Sequence, residues 1–286
     1  MGSFHAVAGT GRMGTSYIAE SLDTLPGIAA LHEGHRRNDD GADVLPMVNL
    51  QHLAAYRNVD AADRVVAELR SGQVVEAAAQ ATDSDVLIDV AYYNAVLARA
   101  LLDHHSGLKL VALIRDCESF VRSATWIEGT DPMPVGWPDP DKSLDAREKF
   151  ISLGRIRPLA GDDKAQWSSW RAIQRNIWLW RETNSVMLSA MAGRRERCLL
   201  LNFGRFAADS RAAMRRIAEW LAPEALTRAD NVGEWPLSEG SQPRRNARQG
   251  TYQVGPSCEW TAEEREMLRS AENDIETLLE VCGGFD

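Results

Sequence analysis

The stretch "AVAGTGRMGTSYIAESL", residues 6–22, decides how this chain is read. A short apolar run enters a turn carrying Gly9-x-Gly11-x-x-Gly14, and a helical stretch from Thr15 to Leu22 leaves it. Strand, glycine turn and helix together suit an anion. Glycines let the backbone come close, and the N–H groups and positive end of the helix neutralise the charge. The glycine spacing is that of a dinucleotide-binding turn, and Glu33, about 20 residues on, stands where a ribose-binding acid would. Thr15 and Ser16 fit that reading poorly, because such a helix packs on its sheet through small apolar residues. A nucleoside-triphosphate loop needs a lysine before the hydroxyl residue, and here Arg12-Met13 precede Gly14-Thr15.

Working outward, "IAALHEG" (28–34) reads as a second strand, and residues 60–70 and 73–81 read as helices. "SDVLIDVAY" (84–92), "LKLVALIR" (108–115) and "RCLLLNF" (197–203) are continuous apolar runs of strand length, as buried parallel strands covered on both faces are. Strands alternating with helices predict a doubly wound α/β parallel sheet in a single domain, 1–286. A loop-rich insertion at about 126–166 interrupts the rhythm. A long helix follows, with Trp170, Ile173, Ile177, Trp180, Asn184, Met187, Leu188 and Met191 on one stripe. Later come an amphipathic helix (Met214, Ile217, Ala218, Leu221), a basic loop "QPRRNARQG", and a final helix opening with a Thr261–Glu264 capping box.

Composition sets the outer limits. The 286 residues are 44% hydrophobic and 26% charged, ordinary for a globular chain. A net charge of −9 argues against general nucleic-acid binding but leaves room for a local basic pocket. There is no apolar run of membrane-spanning length, no signal-peptide layout, and Ala6 stands where a myristoylation signal wants Ser or Thr. Cys117, Cys198, Cys258 and Cys282 are far apart and form no C-x-x-C pair. The expectation is a cytoplasmic protein with reduced thiols.

A second constellation decides between the readings of the turn. In "LVALIRDCESFVRS" (110–123), Arg115 ends a buried strand and Ser123 follows eight residues later on the next helix. Sites in open α/β sheets lie at the carboxyl ends of strands, so Arg115 would emerge into the same crevice as the glycine turn. An arginine fork plus a hydroxyl suits a second phosphate. The plain alternative is a surface pairing of Arg115 with Asp116 or Glu118.

These residues resemble the PAPS-dependent sulfotransferase family (PAPS is 3′-phosphoadenosine 5′-phosphosulfate), whose first strand leads to an R/K-S-G-T-[ST] turn around the 5′-phosphosulfate. "RMGTS", Arg12–Ser16, is similar, with Met13 in place of the usual Ser. "IRDCESFVRS" resembles the family's later strand-Arg and Ser, which hold the 3′-phosphate, and "LLNFGRFAADSRAAMRRIAEWLA" follows the outline of a further segment without its Tyr-Glu pair. The resemblance implies a P-loop-like sulfotransferase fold, closer to the carbohydrate, tyrosyl-protein and bacterial branches. It implies PAPS as co-substrate, adenosine 3′,5′-bisphosphate as product, a small hydroxyl-bearing acceptor and no metal. Arg12, Gly14, Thr15, Ser16 and Tyr17 would hold the phosphosulfate, and Arg115 and Ser123 the 3′-phosphate. Arg248 and Gly250 resemble a late basic-glycine loop that closes over it.

The implied chemistry is in-line attack by the acceptor, with Arg12 stabilising the leaving phosphate and a base taking the acceptor proton. By the same resemblance the base is Glu33, with His32, His35 and Asp89 as substitutes. Trp126, Trp137 and Trp167 are candidates for an apolar acceptor pocket. Two rivals stay open at this point: an NAD(P)-dependent reductase, and a non-catalytic nucleotide-binding protein of the same fold.

Overall fold

The computed structural model describes residues 2–36, 43–128, 155–231 and 254–285. Five strands form one parallel sheet: β1 (Ser3–Gly9), β2 (Ile28–His32), β3 (Val86–Val90), β4 (Leu110–Ile114) and β5 (Cys198–Asn202), in the order β2-β3-β1-β4-β5. Every expected strand is present, β1 at its full length and the others shorter by one or two residues at one or both ends.

Alternation along the strands creates two cores. Phe4, Ala6 and Ala8 of β1, with Leu31, Leu87 and Ala112, face one layer. Val7, with Ala30, Ile88, Val111 and Leu201, faces the other. The first layer holds α2 (Gln51–Ala55), α3 (Val59–Leu69), α4 (Gly72–Ala81), α5 (Asn94–His104) and α6 (Cys117–Glu128). It continues with the long helix α8 (Ala172–Met191), which follows the short α7 (Gly161–Gln166), and with the final helix α12 (Ala262–Cys282). The second layer is α1 (Thr15–Leu22), α9 (Phe203–Ala208), α10 (Ser210–Leu221) and α11 (Pro223–Asn231). This is the expected doubly wound α/β architecture.

The tryptophan-bearing helix α8 is buried almost all round, as its stripe and its neighbours require. Thr261 and Glu264 form the expected capping box at the start of α12. Among the described residues no helix is long and apolar enough to cross a membrane.

The sheet order matters for the site. Both neighbours of β1 are strands that come later in the chain, β3 and β4, so the connections diverge around its carboxyl end. That divergence opens the crevice in which α/β proteins bind ligands.

Candidate active site

At the carboxyl ends of the strands lies a cavity of about 360 Å³, lined by residues 10–12 and 14–16 of the glycine turn, His32 and Glu33 after β2, Tyr92 after β3, Arg115 and Ser123 after β4, and Phe203 after β5. Segments far apart in sequence therefore meet where the topology says they should.

The turn is built by three left-handed residues: Gly11 (φ 79°), Arg12 (φ 56°) and Gly14 (φ 76°), the last capping α1. Met13 explains both itself and Gly9. Its side chain is fully buried, and a Cβ on Gly9 would lie 2.0 Å from its sulfur. Gly9 thus makes room for Met13, an apolar anchor that turns back under the strand. At the mouth, Ser16 Oγ donates to Glu20 Oε1 (3.1 Å).

Arg115 reaches back across the crevice. Its Nη1 donates to the carbonyl of Arg12 (2.7 Å), its Nε donates to Ser119 Oγ (2.7 Å), and its guanidinium lies over the Phe203 ring. The Arg115 carbonyl accepts from the Trp180 indole N–H (2.8 Å), which ties the strand end to α8. Arg12 Nε donates to Ser123 Oγ (3.2 Å). The two sequence motifs are thus one hydrogen-bonded unit. Asp116 accepts from Ser119, and Glu118 from Ser257.

Glu33 follows β2 with φ 56°, donating its N–H to the Val90 carbonyl (3.2 Å). A non-glycine residue in this region is strained, and such strain concentrates at functional sites. Among the described residues, Arg12 and Glu33 are two of four non-glycine residues held this way. Burial, reinforced by the negative charge of Asp89, raises the Glu33 carboxyl from 4.5 to about 7. His32 Nε2 sits 3.0 Å from Thr15 Oγ1 and 3.8 Å from Glu33 Oε1. Burial lowers the His32 pKa against the opposing pull of Asp89.

Several candidate residues lie elsewhere. Asp89 points into the first core layer, in an ion pair with Arg70 (2.9 Å) whose two side chains are 0–1% exposed, and it does not line the cavity. His35 pairs with Asp43 (2.8 Å) behind the β2 end. Tyr17 packs edge-on against Phe206 and is absent from the lining. Trp167 packs edge-on against Trp170 and Trp178, with the Arg175 guanidinium over its ring, and is absent from the cavity lining. Arg248, Gly250, Trp137 and the side chain of Trp126 lie outside the described residues.

The far wall holds residues that motif reading did not find: His52 from the 35–60 segment, Arg155 and Ile156 from the insertion, and Leu179 and Thr183 from α8. Arg155 is buried and donates to Asn176 Oδ1 (3.0 Å). No motif or spacing in the sequence marks them.

Two solved structures are similar over nearly the whole chain. One is a sulfotransferase from Alicyclobacillus acidocaldarius: 14% identity, 99% of this chain and 96% of that one, TM-score 0.50. The fold is the sulfotransferase fold. The other is the sulfotransferase domain from the curacin biosynthetic pathway: 13% identity, 95% of this chain and 98% of that one, TM-score 0.50. No protein-family model matches the chain, and no curated protein matches it.

The sulfotransferase fold disfavours the reductase reading on its own terms. A dinucleotide-binding sheet runs 3-2-1-4-5, with β2 beside β1, so that an acid ending β2 reaches a ribose held at the β1 turn. Here β3 separates the two strands, and the role Glu33 had as a ribose-binding acid loses its geometry.

Proposed function

We propose that this chain is a sulfotransferase that moves a sulfuryl group from PAPS to a hydroxyl of a small acceptor, releasing adenosine 3′,5′-bisphosphate. One observation carries the reading. Two anion-holding motifs 103 residues apart join through the Arg115–Arg12 hydrogen bond, in one cavity with a carboxyl whose pKa is raised to about 7.

The residues fit the donor. The first N–H groups of α1 lack intrahelical partners, and with the Thr15 and Ser16 hydroxyls they would hold the phosphosulfate. Arg115 and Ser123 would hold the 3′-phosphate. PAPS supplies the sulfuryl group and a bisphosphate leaving group; the new O–S bond forms as the bridging S–O bond breaks. Glu33 takes the acceptor's proton, which requires its ionised form, so the rate should rise with pH through about 7. Arg12 meets the charge that develops on the departing phosphate oxygen. Because Arg115 holds the Arg12 carbonyl and Ser123 its Nε, the cationic side chain is already oriented before reaction.

The acceptor would sit against His52, Tyr92, Ile156, Leu179 and Thr183, a mixed apolar and hydroxyl-bearing wall suited to a small metabolite or natural product. The test is incubation with PAPS and a hydroxyl-compound library, read by mass spectrometry. The proposal expects a sulfated product together with free bisphosphate. Binding of bisphosphate with no product from any phenol, sugar or aliphatic alcohol would leave a binding protein of the same fold instead.

A further inference from the structure

We infer that His32 is a positioning residue that holds the Thr15 hydroxyl as a hydrogen-bond donor to the bound anion and ties that hydroxyl to Glu33. The inference rests on the reading of the glycine turn as the phosphosulfate cradle. It concerns an imidazole that the transfer chemistry does not itself require.

The geometry is specific about one nitrogen. His32 closes β2, and its Nε2 faces two oxygens, Thr15 Oγ1 at 3.0 Å and Glu33 Oε1 at 3.8 Å. In the ionised form that its role as base requires, a Glu33 oxygen only accepts, so its presence beside Nε2 favours the tautomer with the proton there. Nε2–H then donates to Thr15 Oγ1. A threonine hydroxyl has one proton, and with its oxygen occupied as an acceptor that proton is directed to another partner. Thr15 is the first residue of α1 and lines the cavity, so the partner at hand is the anion.

The opposite tautomer would do the reverse: a bare Nε2 would draw the Thr15 proton away from the cradle. Glu33 therefore has two effects. It accepts the proton of the acceptor, and through His32 it sets which way the cradle threonine donates. Strand β2 and helix α1, which carry base and cradle, are coupled through a single imidazole rather than by proximity alone.

The test is a double-mutant cycle on adenosine 3′,5′-bisphosphate affinity, measured by calorimetry on the full chain. His32→Ala and Thr15→Val should each weaken binding about tenfold, the worth of one charge-assisted hydrogen bond. The double variant should be no more than about threefold weaker than either single one. His32→Gln, whose amide N–H reaches the same place, should restore affinity to within about threefold of wild type, and Thr15→Ser should do the same by keeping the hydroxyl. A thermal melt of each variant separates binding from folding. Losses that multiply in the double variant, or a His32→Gln chain no better than His32→Ala, would overturn the inference while leaving the functional reading intact. A wild-type chain that does not bind the bisphosphate would overturn both.

Discussion

Glu33 and Asp89 are carboxylates one strand apart, and the fold treats them oppositely. Asp89 is fully buried in the first core layer and is matched by Arg70, which also donates to the Tyr93 hydroxyl. Glu33 sits just past the register pair His32–Val90, at the mouth of the cavity, with His32 Nε2 3.8 Å from its Oε1. One charge is neutralised by a buried cation and is architectural. The other is desolvated beside a like charge, which makes it a weak acid poised near neutrality. What separates the two carboxylates is the partner, not the residue type.

The contrast is broken most severely at its reactive end. Glu33→Gln should cut the rate of sulfuryl transfer by about 10²- to 10⁴-fold, with bisphosphate affinity little changed. Steady-state kinetics beside calorimetry separate the two effects.

Next in size is the architectural end. Arg70→Met leaves Asp89 buried and uncompensated and should cost about 3–5 kcal/mol in chemical denaturation. Adding Asp89→Asn should recover a large part of that loss, because the stranded charge is gone.

Glu33→Gln also makes a stability prediction of opposite sign. A carboxyl held at about 7 in the folded chain, against an ordinary 4.5, binds its proton more tightly folded than unfolded. Stability is therefore lost as pH rises from about 4.5 through 7, and a neutral Gln escapes that loss. Glu33→Gln should leave stability unchanged near pH 4 and raise it near pH 8 by on the order of 3 kcal/mol. Denaturant midpoints at the two pH values check it.

The smallest effect belongs to the 3′-phosphate side. Ser123→Ala removes one partner of Arg12 and should raise the KM for PAPS about tenfold, without moving the pH midpoint set by Glu33.

The fold was legible wherever local pattern equals local structure. Short apolar runs marked all five strands, and "TSYIAESL" marked the helix α1. The glycine turn was legible because its glycines stand at a strand–helix junction, and Gly11 and Gly14 are left-handed there. Met13 was not, since its role depends on the space over Gly9, which only the folded strand defines. Tyr17 illustrates the opposite failure: it is adjacent to the cradle in sequence, but the helical turn rotates it onto Phe206. His52, Tyr92, Arg155 and Thr183 reach the cavity through tertiary packing alone, with no spacing between them to read. Sheet order, which weighs against the reductase, is likewise a property of the whole chain and of no segment in it.

The central claim is that the glycine turn and the Arg115–Ser123 pair form one site for a nucleotide carrying two separate phosphate groups. Calorimetric titration of the wild-type chain and of Arg115→Ala with adenosine 3′,5′-bisphosphate and with NADPH tests it directly. The account predicts tight binding of the bisphosphate to wild type, loss of about 100-fold or more in Arg115→Ala as both the phosphate contact and the support of Arg12 disappear, and no comparable binding of NADPH. NADPH binding to both proteins, with the bisphosphate ignored, would contradict it.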